Sequence, residues 1–278
     1  MKRRVPPTLV IGGVLVGLIL AMALLSAVWT PSDPTHVEVA ARLRGPGASG
    51  SVLGTDQLGR DELSRIMAGA RNTLLVGIVT VVIAIGVGVP LGGIAAMHRG
   101  PLDNMTMRLA DVLLAFPAIL LAIMFAAVFN PSTVTAMVAI GIALVPVFAR
   151  VVRGAGLQIM QQDYVTVTRT YGGGGVWIFA RHLLPNVGSV LIVQATVAFA
   201  IAILAEAALS YLGLGTPPPT PSWGRMLSES QTFLDQAPLL ALWPGVCIAL
   251  AVLGFNLLGD GLRDLLDPRL IERVPAQG

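Results

Sequence analysis

Six stretches of this chain run for 18 residues or more with at most one charged side chain: Leu9–Trp29, Thr73–Met97, Asp111–Phe129, Ser132–Ala149, Val187–Gly215 and Ala237–Gly259. Runs of that length suit the hydrocarbon of a bilayer. About 20 apolar residues wound as a helix cross its ~30 Å core, and the helix pairs its own backbone polar groups where no water can reach them. The expected fold is an all-α polytopic membrane protein with six transmembrane helices. The composition, 55% hydrophobic and 12% charged with mean hydropathy +0.79, excludes a soluble globule.

Charge supplies the orientation. Of the 18 Lys and Arg residues all but Lys2 are arginine, and they stand at the ends of the apolar runs, a topology mark rather than a nucleic-acid surface. Lys2, Arg3 and Arg4 precede the first run, as in a signal sequence or a first helix that starts in the cytoplasm; the length of the run and Trp29 at its end favour a retained helix. Six spans with both termini cytoplasmic place twelve of the 18 cations inside and six outside, whereas inversion would expose Arg150, Arg153, Arg169 and Arg181 outside. The chain then divides into a tip and first span (1–29), an outer loop (30–72), a five-helix core (73–263, with an inner loop at 160–186 and an outer loop at 211–236) and a cytoplasmic tail (264–278).

Local patterns refine this. Leu63, Ile66, Met67, Ala70 and Leu74 share a helical face, which predicts a surface helix closing the first outer loop; Asp61, Glu62, Arg65 and Arg71 are placed to suit its dipole. Gly13 and Gly17 predict a close-packing face on the first span, and Gly88, Pro90 and Gly92 a kink and a second such face. Pro217, Pro218 and Pro219 predict an extended outer ridge with Trp223 at the bilayer interface. Asp111 is read as an acid in the first turn of the third span, with a place on the pathway or in a helix clamp as the other reading. Glu206, deep in the fifth, either lines a path or clamps helices, for instance to an arginine of the first outer loop.

Between the fourth and fifth spans, Asp163–Asn186 reads as a helix-turn-helix outside the bilayer. Tyr164, Val167 and Tyr171 lie at near-helical spacing, Gly172–Gly175 break the helix, Val176, Trp177 and Phe179 form another turn or two, and Pro185 stops it. Catalytic patterns are missing. With Lys2 the only lysine no GxxxxGK[ST] loop exists, no GxSxG occurs, and His36, His98, His182 and Cys247 are scattered, so ATP hydrolysis, metal binding and serine-protease chemistry are not expected of this chain.

The inner loop resembles the EAA loop of ABC-importer permeases. Gly172 is followed after nine residues by His182-Leu183-Leu184-Pro185; Thr166, Val167 and Thr168 stand where Glu-Ala-Ala is usual, and His182 where isoleucine is. Those β-branched residues and the glycine run leave open how firmly the helix is preformed. Three further stretches resemble the second, C-type, permease subunit of dipeptide, oligopeptide and nickel importers. These are LGTDQLGRDELSR from Leu53 with Gly69 and Arg71, Met107–Ile123 with Phe116-Pro117, and GLGTPPPTPSWGRML.

The resemblance implies a type I ABC-importer permease fold in the cytoplasmic (inner) membrane. It implies a cytoplasmic coupling helix, with Asp163, Tyr164, Thr166, Val167, Thr168, Tyr171, Gly172, Leu184 and Pro185 at the contact with an ATPase. It further implies a second permease subunit, two ATPase domains that carry the ATP and Mg²⁺, an extracytoplasmic substrate-binding protein, and an outer docking or lid region with Trp223 and Arg225. No cofactor is expected on this chain. The implied function is translocation of peptides; the alternatives are an ion-coupled secondary transporter, or the same permease role with nickel or a nickel chelate as cargo.

Overall fold

The computed structural model describes residues 5–266; the basic tip Lys2–Arg4 and residues 267–278 of the expected tail lie outside them. The chain forms α1 (Pro7–Ser26), α2 (Glu62–Met97), α3 (Pro101–Ala115), α4 (Ala118–Phe129), α5 (Thr133–Ile159), α6 (Asp163–Thr170), α7 (Gly175–Ile178), α8 (Leu184–Tyr211), α9 (Trp223–Ser230) and α10 (Leu239–Leu266). Among the described residues there is no strand, only an isolated bridge between Thr55 and Asp61.

Five helices are long and apolar enough to cross a membrane: α1, α2, α5, the run from Gly175 to Tyr211, and α10. The third predicted span is not one helix. Phe116 and Pro117 are extended, because the proline ring disfavours helical backbone in the residue before it, and α3 and α4 meet at 85°. Asp103 of α3 pairs with Arg153 near the end of α5, while α4 leads through three residues into the start of α5. The bent pair thus travels from one end of α5 to the other and, counted as one span, makes a sixth.

Two other expected boundaries shift. The surface helix and the second span are a single 36-residue helix, α2, since Asp61 caps it at Ser64 N–H (2.8 Å) and no breaker follows before Pro90, through which it continues. At about 1.5 Å per residue it outruns a bilayer core, so its first turns stand outside. Pro185 does not stop the inner helix-turn-helix either. It occupies the first turn of α8, behind a π turn at Phe179–Leu183 whose last carbonyl partner is shifted by one residue, and helix runs on from Gly175 into the span.

Helices α2 and α8 are central, each contributing to both apolar clusters: one with α4 and α5, the other with α1, α9 and α10. The tightest seam lies between α2 and α5. A Cβ on Gly88 would come within 2.7 Å of Phe148 Cβ, and one on Gly92 within 2.9 Å of Val152 Cβ. On α1 the expected Gly13/Gly17 face is open. The close approach belongs to Gly12, on the buried stripe with Val16, Ile19 and Ala23, against Gly254 and Leu257 of α10. Small residues let helix backbones approach closely where lipid gives no hydrophobic drive to associate.

Gly92→Ala is expected to lower the stability of the purified chain by about 1–3 kcal/mol through overpacking, read as a fall in melting temperature in detergent. Gly86→Ala, with open space around it, should leave the melting temperature unchanged or raise it.

Candidate functional site

The inner knob is built on α6. Asp163 opens the helix and Arg169 closes it, each at the end its charge favours. Its C-terminus is a Schellman cap: Gly173 N–H donates to Thr168 O (2.9 Å), Gly172 N–H donates to Arg169 O (3.0 Å), and Gly172 takes φ +83°. That left-handed position is one a side chain resists, which gives Gly172 a structural reason independent of any motif. Gly173 is needed as well, because a Cβ there would collide with Thr168.

Residues outside the expected ATPase contact set root the knob. Val165, Ile178 and Leu183 are fully buried; Leu183 covers Gly156 at the end of α5, and the Phe179 ring fills the space above Gly93 of α2. Tyr164, Thr166, Val167, Tyr171, Gly172, Leu184 and Pro185 are exposed, and Thr168 turns partly inward. Tyr171 and Val176 are 88% and 85% exposed, which puts aromatic and apolar surface at the C-terminus of α6 and in α7.

The outer face carries a different construction. Asp56 accepts from the backbone N–H of Leu58 (2.8 Å) and Arg60 (2.9 Å), from Arg60 Nε (2.6 Å) and from Arg65. Glu229 of α9 accepts from Arg60 (2.9 Å), Arg65 (2.7 Å), Arg225 (3.0 Å) and Gln57 (3.3 Å). The LGTDQLGRDELSR stretch is therefore a structural knot that ties the first outer loop and the head of α2 to α9. Gly54 and Gly59, both at positive φ, let its loop pass against Arg44 and Glu38 carbonyls. Burial alone would raise the Glu229 carboxyl, but Arg65, Arg60 and Arg225 outweigh it and hold it below the ordinary glutamate range.

Several expectations about single residues change here. Trp223 does not sit at the bilayer interface: it is fully buried, its Nε1–H donating to Ile66 O (3.0 Å) over Gly69, so it seats α9 and offers no docking surface. Arg225 is half-buried and engaged with Glu229. The proline run expected to be extended contains a cis Pro218–Pro219 bond. Asp111 lies late in α3 rather than in a first turn, exposed and paired with Arg150.

Glu206 meets no arginine among the described residues: Arg60 and Arg65 are engaged by Asp56 and Glu229, Arg42 lies over the Phe233 ring and Arg44 donates to Ala40 O. It is buried and accepts from Ser210 Oγ (2.7 Å), with Thr216 Oγ1 3.5 Å away. Thr216 in turn accepts from Asn72 (2.9 Å) and Thr133 (3.3 Å), so Glu206 belongs to a polar pin that joins the outer ends of α2, α5 and α8.

With this geometry in hand, the chain matches the family of binding-protein-dependent transport system inner membrane components over residues 88–272. The chain belongs to that family. It is similar to the dipeptide transport system permease protein DppC of Alkalihalophilus pseudofirmus, 41% identical over 94% of this chain and 86% of the relative. It is equally similar, at 41% identity, to the di/tripeptide transport system permease protein DppC of Pseudomonas aeruginosa (94% and 88% covered) and to the glutathione transport system permease protein GsiD of Pectobacterium atrosepticum (94% and 87%). The inward-facing MetNI methionine ABC transporter shares its fold, with TM-score 0.60 at 18% identity over 73% of this chain and 96% of that one. The chain is thus a multi-pass transport permease with an ABC-importer permease fold, a class of subunit that works with ATPase and substrate-binding partners.

The outer knot gives this permease a pH signature. Because the folded-state carboxyl of Glu229 is depressed, its contribution is whole above the unfolded value of about 4.3 and is lost as pH falls through the lower folded value. Limited proteolysis of the 30–61 loop should accelerate on acidification below that range. In Glu229→Gln the loop should be cleaved faster already at neutral pH, and its rate should depend less on pH.

Proposed function

We propose that this chain is the peptide-translocating permease subunit of an ATP-driven, binding-protein-dependent importer of the cytoplasmic membrane, with both termini cytoplasmic. Its partners in this reading are a second, similar permease, two ATPase domains that bind ATP and Mg²⁺, and an extracytoplasmic receptor. The chain itself binds no cofactor and catalyses no reaction. Peptide is the preferred cargo because the similar permeases are named for dipeptide, di/tripeptide and glutathione transport. Those names lend nothing to nickel or to ion coupling.

One observation carries the reading: the exposed patch on α6 and α7 is held on a capped helix joined directly to two spans. Three residues link α6 to α5, and α7 continues into α8. Displacing the patch therefore displaces both helices, which pack on α2. Nucleotide-driven closure of the motor would draw this knob and its counterpart together and open the outer mouth. Taking a two-state gate from 1:99 to 99:1 needs about 5.5 kcal/mol of differential binding, which must come from the motor because this chain has no phosphate-binding loop.

Cysteines at Val167 or Tyr171 are expected to crosslink to an ATPase subunit in membranes, and peptide uptake is expected to stop when that subunit's phosphate-loop lysine is replaced. Crosslinks to lipid alone, or uptake that continues without nucleotide hydrolysis, would refute the reading.

A further inference from the structure

The only covalent connection from α6 to α7 is a glycine-rich turn, with nothing within 4 Å of a Cβ built at Gly172, Gly174 or Gly175. Backbone alone would leave a hinge between the patch on α6 and the span beyond α7. His182 closes that hinge from the side. Its ring centroid lies 5.2 Å from that of Tyr164 and 4.9 Å from that of Trp177, edge-on to the latter, so it is held between an aromatic of α6 and one of α7.

Its Nε2 lies 3.1 Å from Thr168 Oγ1. With the Thr168 hydroxyl donating to Tyr164 O (2.9 Å), the Nε2–H tautomer of His182 completes the pair by donating to Thr168 Oγ1; with the other tautomer the hydroxyl donates to Nε2 instead. The His182 carbonyl, in the π turn, accepts from Asn186 Nδ2 (2.6 Å), which fixes the backbone that carries the ring. An aliphatic side chain at this position could fill the gap but could not bond to Thr168.

We infer that His182 is a positioning residue for energy coupling, clasping α6 to the helix that runs from α7 into α8 so that the two move as one body. The inference rests on the proposed function, and it adds His182 to the buried Val165, Ile178 and Leu183 as a source of the knob's stiffness. With the clasp open, a push on α6 bends the glycine turn instead of tilting α8.

The test uses the complete importer in proteoliposomes, with peptide uptake and ATP hydrolysis measured on the same sample. In His182→Ala, uptake per ATP should fall at least about fivefold, the population factor for one hydrogen bond and one ring contact at the low end of their ordinary strengths, while subunit assembly and basal hydrolysis stay at wild-type levels. Thr168→Val should fall in the same direction, and the double variant should be no worse than His182→Ala. Should the alanine variant fail to assemble, His182→Phe keeps the ring, loses the bond to Thr168 and gives the same readout with a smaller drop. Spin labels at Thr166 and Val190 should report a narrow distance distribution in the wild type and a broad one in His182→Ala. Wild-type coupling in His182→Ala, or additive losses in the double variant, overturn the inference alone. A wild-type assembly with no ATP-dependent uptake overturns the functional reading, and the inference with it.

Discussion

The contact on which the rest of this structure depends is the close approach of α2 and α5 at Gly88 and Gly92. Inside a bilayer, burying an apolar side chain against a neighbour gains little over burying it in lipid, so helices hold together through dispersion between closely apposed surfaces. Glycine on α2 lets the backbone of α5 at Ala149 approach nearly as closely as atoms allow, and Phe148 and Val152 fill the flanks of the same seam. Both ends of α5 inherit their position from this contact: the inner end carries the knob, and the outer end enters the Thr216 pin.

At the outer face the chain uses charge where the inner core uses shape. Asp56, Arg60 and Arg65 are almost wholly buried, and isolated burial of such groups costs several kcal/mol each, so the arrangement holds only because each arginine meets carboxylates from two elements. Glu229 is the member that comes from far along the chain. Without it Arg60 would keep only Asp56 and Arg65 only Asp56 and Glu62, and α9 would lose its ionic tie to the head of α2. Several positions of the LGTDQLGRDELSR stretch thus have local reasons: glycines at positive φ, a helix cap at Asp61, and an ionic knot at Asp56 and the arginines.

How much of this was legible in the sequence followed the range of the interactions. Apolar length, arginine placement and the spacing around Gly172 are local, and they located the crossings and the knob. Features that depend on a distant partner did not show. Gly12 and Gly13 read alike on paper, and only the position of Gly254 on α10 decides which is buried. Trp223 carries an interfacial signature, yet the gap above Gly69, 154 residues earlier, takes its ring into the core. Pro117 and Pro185 are the same residue type with opposite outcomes. At Pro117 the preceding residue goes extended and the span bends by 85°, whereas at Pro185 the preceding π turn relieves the missing N–H and helix continues. Glu229 was partly visible, since Arg225 stands one turn before it, but its two partners from the first outer loop were not.

Magnitudes indicate which contacts survive the proposed cycle. The hydrogen bonds by which Thr216 accepts from Asn72 and Thr133 and donates to Glu206 are each worth about 0.5–1.5 kcal/mol net, so together they are smaller than the about 5.5 kcal/mol that a 1:99 to 99:1 switch requires. Parting the α2–α5 seam would strip dispersion contacts all the way from Thr80 and Ile83 against Gly141 to Ala96 against Gly156, a loss spread over two long helices with nothing to replace it. In that cycle the seam stays closed and α2, α5 and the inner part of α8 move together. The outer pin, small and built of exchangeable hydroxyl and amide groups, is where the mouth has to yield.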